Sequence, residues 1–187
     1  PEVMPEATPE ATPVITPPMF NADDLFAGAI LPGTSTRTDV ETALNAVALT
    51  EYASDTEPEL TQVDYEFGYA LYDGNGVLNR IQVQLNAAEP DNVPTLESLR
   101  GLRLISSVND VLAAFYNPNG VTIGGDDLIY SDGEVYSAYT TFDPDTNLSS
   151  IAYTCQLDEE NMLQFEFGFV DGVMQYMAMY LEEPIVG

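Results

Sequence analysis

The chain has 187 residues, 31 of them acidic against four basic, for a formal net charge of −27 at pH 7. A field of that sign repels phosphate backbones and anionic lipid head groups, so nucleic acid and anionic membranes are not expected partners, whereas cationic surfaces are attracted. Histidine is absent, which removes Ser–His and Cys–His mechanisms and His-containing metal sites, and the single cysteine, Cys155, permits no internal disulfide.

Hydrophobic residues make up 45% of the chain, enough for a true core, yet no run approaches the roughly 18 apolar residues that span a bilayer. The four cations are all arginines, Arg37, Arg80, Arg100 and Arg103.

Residues 1–18 repeat Pro-Glu-Ala-Thr-Pro. Each proline removes an amide donor and fixes φ, so this segment is expected to be an extended, solvated tether, with a lipid anchor possible upstream of Pro1. Residues 19–32 place Phe20, Leu25, Phe26, Ile30 and Leu31 on a short amphipathic pattern, which predicts a helix capped by Asn21 or Asp23. A second helix is expected from the Thr36 to Glu41 region to about Leu49, with Thr38/Glu41 and Thr36/Asp39 both at capping-box spacing. Val40, Leu44 and Val47 form its apolar face.

From Val63 the period becomes two. Val63, Tyr65, Phe67, Tyr69 and Leu71 predict one face of a single half-buried strand, followed by a turn at Asp73-Gly74-Asn75-Gly76 and a return strand from Val77 to Leu85. Residues 87–94 read as a linker. A helix is expected from Val108 to Tyr116, then strands near 127–131, 134–142 and 148–157, and a last hairpin over 162–181 turning at Asp171-Gly172. Ser107/Asp110 mirrors Thr36/Asp39, Leu148 and Ile151 mirror Leu78 and Ile81 at a nearly equal offset, and Phe165-Glu166-Phe167-Gly168-Phe169 echoes Tyr65-Glu66-Phe67-Gly68-Tyr69. The expectation is an α+β fold of two tandem helix-plus-antiparallel-sheet repeats, about seven strands in all, with the helices on one face. The boundaries are a tether over 1–18, a first repeat over 19–94, and a second over 95–187 with an extra C-terminal hairpin.

The order Arg100-Gly101-Leu102-Arg103-Leu104, Ser107, Asp110-Val111-Leu112 and the break at Tyr116-Asn117-Pro118 resembles the tandem repeats of cell-surface proteins from gram-positive gut bacteria. Their unit is similar to the fold of the β-lactamase inhibitor protein and the small outer-membrane assembly lipoproteins. The likeness covers residues 100–157 best and 33–85 more weakly, and departs at Ile105 and Ser106, where Gly and Asp are usual. It implies protein binding through a concave sheet face and brings no catalytic residues.

No catalytic motif stands in the sequence. Glu66 and Glu166 are the best paired carboxylates, but they carry no pocket signature, and Cys155 shares a strand face with Ile151, Tyr153 and Leu157, as a core thiol would. Asp143, Asp145 and Asn147 have the spacing of an EF-hand start, yet Leu148 stands where glycine is required, so neither a metal nor a cofactor is expected. Applying the period-two rule and the repeat register, the outer sheet face should carry Tyr72, Arg80, Gln82, Tyr136, Phe142, Gln164, Glu166 and Tyr176, with Met177 replacing Tyr176 if the last strand shifts. Aromatics beside an isolated arginine are typical of binding hot spots. The functional expectation is therefore a non-enzymatic module, extracellular or at the cell surface, that binds a protein through this face. A glycan-binding or carbohydrate-active envelope module, or a passive acidic spacer, are the alternatives.

Overall fold

The computed structural model of the chain describes residues 18–85, 99–121, 125–132 and 136–182. Most of the expected tether, the 87–94 linker and the tip of the turn at Gly133 lie outside them. The capping boxes at Thr36/Asp39 and Ser107/Asp110 form, whereas Thr38 and Glu41 lie inside the first helix and do not cap it. Thr36 Oγ1 accepts from the Asp39 amide while Asp39 accepts from the Thr36 amide at 2.8 Å, opening helix α1, Arg37–Leu44. Ser107 and Asp110 do the same, at 2.7 Å, for helix α2, Val108–Ala114. Each helix then stops after about two turns. Asn45 takes a left-handed conformation at φ 49°, and Phe115 is already extended.

The rest is strand: β1 Thr50–Ala53, β2 Thr61–Tyr65, β3 Gly68–Tyr72, β4 Leu78–Gln84, β5 Asp127–Asp132, β6 Tyr136–Asp143, β7 Leu148–Gln156, β8 Met162–Val170 and β9 Val173–Glu182. They form one antiparallel sheet in the order β1-β2-β3-β4-β9-β8-β7-β6-β5. The α+β expectation is thereby corrected. The molecule is mostly β, a single nine-stranded sheet with two short helices, rather than two helix-plus-sheet repeats. The physical reason is that a capping box starts a helix but does not lengthen it, and here the chain leaves helical dihedrals as soon as one apolar stripe is buried.

Three further expectations change. The polar segment Thr50 to Thr61, whose composition predicts a loop, supplies edge strand β1. Residues 19–32 form turns closed by a Phe26–Ile30 bridge instead of a helix, although Phe20, Phe26 and Ile30 are all fully buried. The run from Val63 to Leu71 is not one strand but two, joined by a tight hairpin at Glu66-Phe67 in which Tyr65 pairs with Gly68. Gly68 sits at φ +144°, and a Cβ there would lie 2.3 Å from the Gln82 carbonyl oxygen, so only glycine fits the turn.

One sheet face is covered. Across it run the paired residues Val63, Ala70, Ile81, Met179, Phe165, Tyr153, Ala138 and Tyr130. Phe20 and Phe26 reach Phe165 at 6.1 Å between ring centroids, Phe115 stacks on Tyr153 at 4.2 Å, and Val40, Val111 and Leu112 join the same core. The residues between these positions on each strand point to the opposite face.

Candidate functional site

The register gives the second face its composition. One row reads Asp64, Tyr69, Gln82, Ala178, Glu166, Ala152 and Tyr139 from β2 to β6; beside it lies Gln62, Leu71, Arg80, Tyr180, Gln164, Thr154 and Ser137. Leu71, Ala152 and Ala178 are buried yet stand outside the main core, because the large side chains of this face lie over them. Tyr176 shows how. A Cβ on its cross-strand partner Gly168 would fall 2.1 Å from the Tyr176 ring, so the ring rests flat on the glycine backbone.

Flat rings bring their hydroxyls into one network. Tyr176 donates to Glu166 Oε1 at 2.6 Å and Tyr180 to Oε2 at 3.0 Å. Buried Gln164 donates to the Tyr180 hydroxyl and accepts from Thr154 at 3.2 Å. Tyr69 donates to Gln82 at 3.0 Å. The Arg80 guanidinium lies over the Tyr180 ring, 4.1 Å from its centroid, and its Nε is buried without a hydrogen-bond partner among the described residues. Burial, and then the charge of Glu166, push the Tyr176 and Tyr180 phenols far above their ordinary range. Burial and the same carboxylate raise Glu182 as well. The tyrosines therefore stay neutral donors around neutral pH, and Glu166 is held by two of them.

Of the eight residues expected on the outer face, Arg80, Gln82, Gln164, Glu166 and Tyr176 are brought together here. Met177, the alternative to Tyr176, is fully buried on the covered face. Tyr72, Tyr136 and Phe142 are placed on the covered side. Tyr72 is 2% exposed and hydrogen-bonds Tyr65 beside Glu41, Tyr136 packs at the core margin opposite Cys155, and Phe142 shares its row with buried Phe169 at the sheet edge. The Glu66-Phe67 hairpin inverts the parity of β3, which moves Tyr72 inward and Tyr69 outward. Tyr69, Tyr139 and Tyr180 are not among the expected residues: Tyr69 follows from that turn, Tyr180 from the register of β9, and Tyr139 from the β6–β7 register, which sets Ala138 against buried Tyr153 and so turns Tyr136 and Phe142 to the covered side.

The two carboxylates weighed as a catalytic pair do not meet. Glu66 is exposed in the β2–β3 turn, and three strands separate β2 from Glu166 on β8. Asp143 is engaged by Thr146 and Asn147 by Asp171, and no group of three ligating side chains that could hold a metal occurs among the described residues. Cys155 is fully buried, and burial pushes its thiol up to about 12. The thiolate is the reactive form, so iodoacetamide at pH 8 is expected to leave the native protein unlabelled and to label it fully in denaturant. Mass spectrometry of the treated native chain checks this, and rapid native labelling would contradict it.

Compared with known protein families, curated proteins and solved structures, the chain matches none. No helix among the described residues is long and apolar enough to cross a membrane.

Proposed function

We propose that this protein is a non-enzymatic binding module, displayed outside the cell on its Pro/Thr/Glu-rich N-terminal spacer, that docks a protein partner on the second face of the sheet. The observation that carries this reading is the group of hydrogen-bonded tyrosines on the sheet face opposite the main core, with Tyr176 lying against Gly168. Tyrosine offers a large amphipathic contact area with few rotors to immobilise, and these rings are fixed before any partner arrives, which lowers the entropy lost on association.

The test is a paired variant, Tyr69→Ala with Tyr139→Ala, which strips the flanks of the platform and leaves its centre intact. Retention of proteins from an envelope extract is compared with wild type, alongside a glycan array and thermal melting. The expected result is loss of specific protein retention, a silent array and a nearly unchanged melting temperature. Retention unaffected by the variant would leave the face idle. Specific glycan retention by wild type, lost in the variant, would replace the protein partner with a glycan.

A further inference from the structure

The platform already holds one guanidinium, and it is built to take another. Arg80 lies on the ring of Tyr180, whose hydroxyl is bonded to Glu166 Oε2. On the other side of the same carboxylate, Oε1 accepts from Tyr176, a ring backed by Gly168. Among the described residues, no aromatic side chain or cation is stacked on Tyr176. The arrangement is thus arginine, tyrosine, carboxylate, tyrosine, with the fifth place empty of any cation.

We propose, resting on the reading of this face as a protein-docking surface, that a partner's arginine stacks on the outer face of Tyr176 and pairs with Glu166. Three features support it. A carboxylate has about four acceptor positions, and two phenols use two of them, so Glu166 keeps capacity for a guanidinium while its orientation is already fixed. Arg80 already occupies the Tyr180 side of the carboxylate, so the Tyr176 side is the one on which a second guanidinium fits. The whole chain carries −27, which steers cationic segments towards it and disfavours anionic ones. Arginine fits better than lysine because its planar group can lie on the ring and reach the carboxylate with two donors.

The experiment titrates the full ¹⁵N-labelled chain with N-acetyl-arginine methylamide and follows amide shifts. Shifts are expected to centre on Glu166, Gly168 and Tyr176, with the lysine analogue several-fold weaker. Glu166→Gln, which keeps an acceptor for the tyrosines, should weaken binding about tenfold, as should Tyr176→Leu, on the scale of a cation–aromatic contact plus an ion pair. Glu159→Gln, at an exposed loop position, makes the same change in net charge and should alter it less than about twofold. Equal weakening by Glu159→Gln and Glu166→Gln, or shifts scattered over the acidic loops, would overturn the arginine anchor and leave only bulk charge. That outcome, combined with loss of partner retention in the Tyr69→Ala/Tyr139→Ala variant, would reject the anchor while keeping the docking face.

Discussion

Replacing Arg100 by methionine is expected to destabilise the fold by about 3–5 kcal/mol, the range found when one partner of a buried ion pair is removed. Arg100 is 16% exposed and its partner Asp24 14%, which sets the pair beneath the surface and apart from the exposed salt bridges that contribute almost nothing. Its Nε and Nη2 donate to the two Asp24 oxygens at 3.1 and 2.6 Å, Nη1 donates to the carbonyls of Pro18 and Ala114, each at 2.9 Å, and Nη2 also reaches the Met19 carbonyl at 3.0 Å. The guanidinium further covers the Phe115 ring, 4.3 Å from its centroid. One side chain thus ties the incoming segment at Pro18 and Met19 to the end of α2. Methionine would leave Asp24 charged without a cation and would remove a donor from each of three carbonyls, of which Pro18 keeps the Tyr116 amide and Met19 the Asn21 side chain, while lysine, a point charge on a flexible stem, should recover only part of the loss. For a chain of this length the melting temperature should fall by on the order of 10 °C. A change below about 1 kcal/mol in urea unfolding would show that this hub is dispensable.

Phe165→Ala should be of similar size, about 3–5 kcal/mol, for a different reason. Phe165 is fully buried at the middle of the sheet, with ring centroids of Phe20, Phe26 and Phe167 at 6.1, 6.1 and 4.4 Å. Truncation removes apolar area and opens a cavity bordered by strands on one side and by the 18–35 segment on the other. The strands are fixed by ladders and cannot close in, so relaxation must come from Phe20 and Phe26. The urea midpoint should drop with little change in slope. Phe165→Leu, which keeps most of the volume, should lose less than half as much, and an alanine variant as stable as the leucine one would show that the overlying segment collapses freely. The Arg100 and Phe165 variants should also couple when combined, since both release the same segment.

Both residues stand out in the sequence, but for incomplete reasons. Arg100 is noticed as the head of a motif, and Phe165 as part of an aromatic echo. Neither pattern says that the one clamps and the other seats the segment beginning at Pro18. The amphipathic pattern of Phe20, Leu25, Phe26, Ile30 and Leu31 predicts a helix there, and the segment buries Phe20, Phe26 and Ile30 through turns instead.

By itself the sequence determined whatever depends on near neighbours. The two capping boxes, the hairpin turns at Asp73 and Asp171, the five strands of the second half, the buried thiol of Cys155 and the charge of the surface are set by residues within a few positions of one another. Only the tertiary structure decided the parity of the sheet. A two-residue hairpin at Glu66-Phe67, permitted by Gly68 lying against the Gln82 carbonyl, reverses which side every later residue of β3 faces. The pairing of β4 with β9 then sets Arg80 beside Tyr180, a contact between residues distant in the chain. Because side chains alternate with a period of two, one unrecognised turn exchanges the two faces of the strand that follows it, and which face the core leaves uncovered is settled only by the pairing of distant strands.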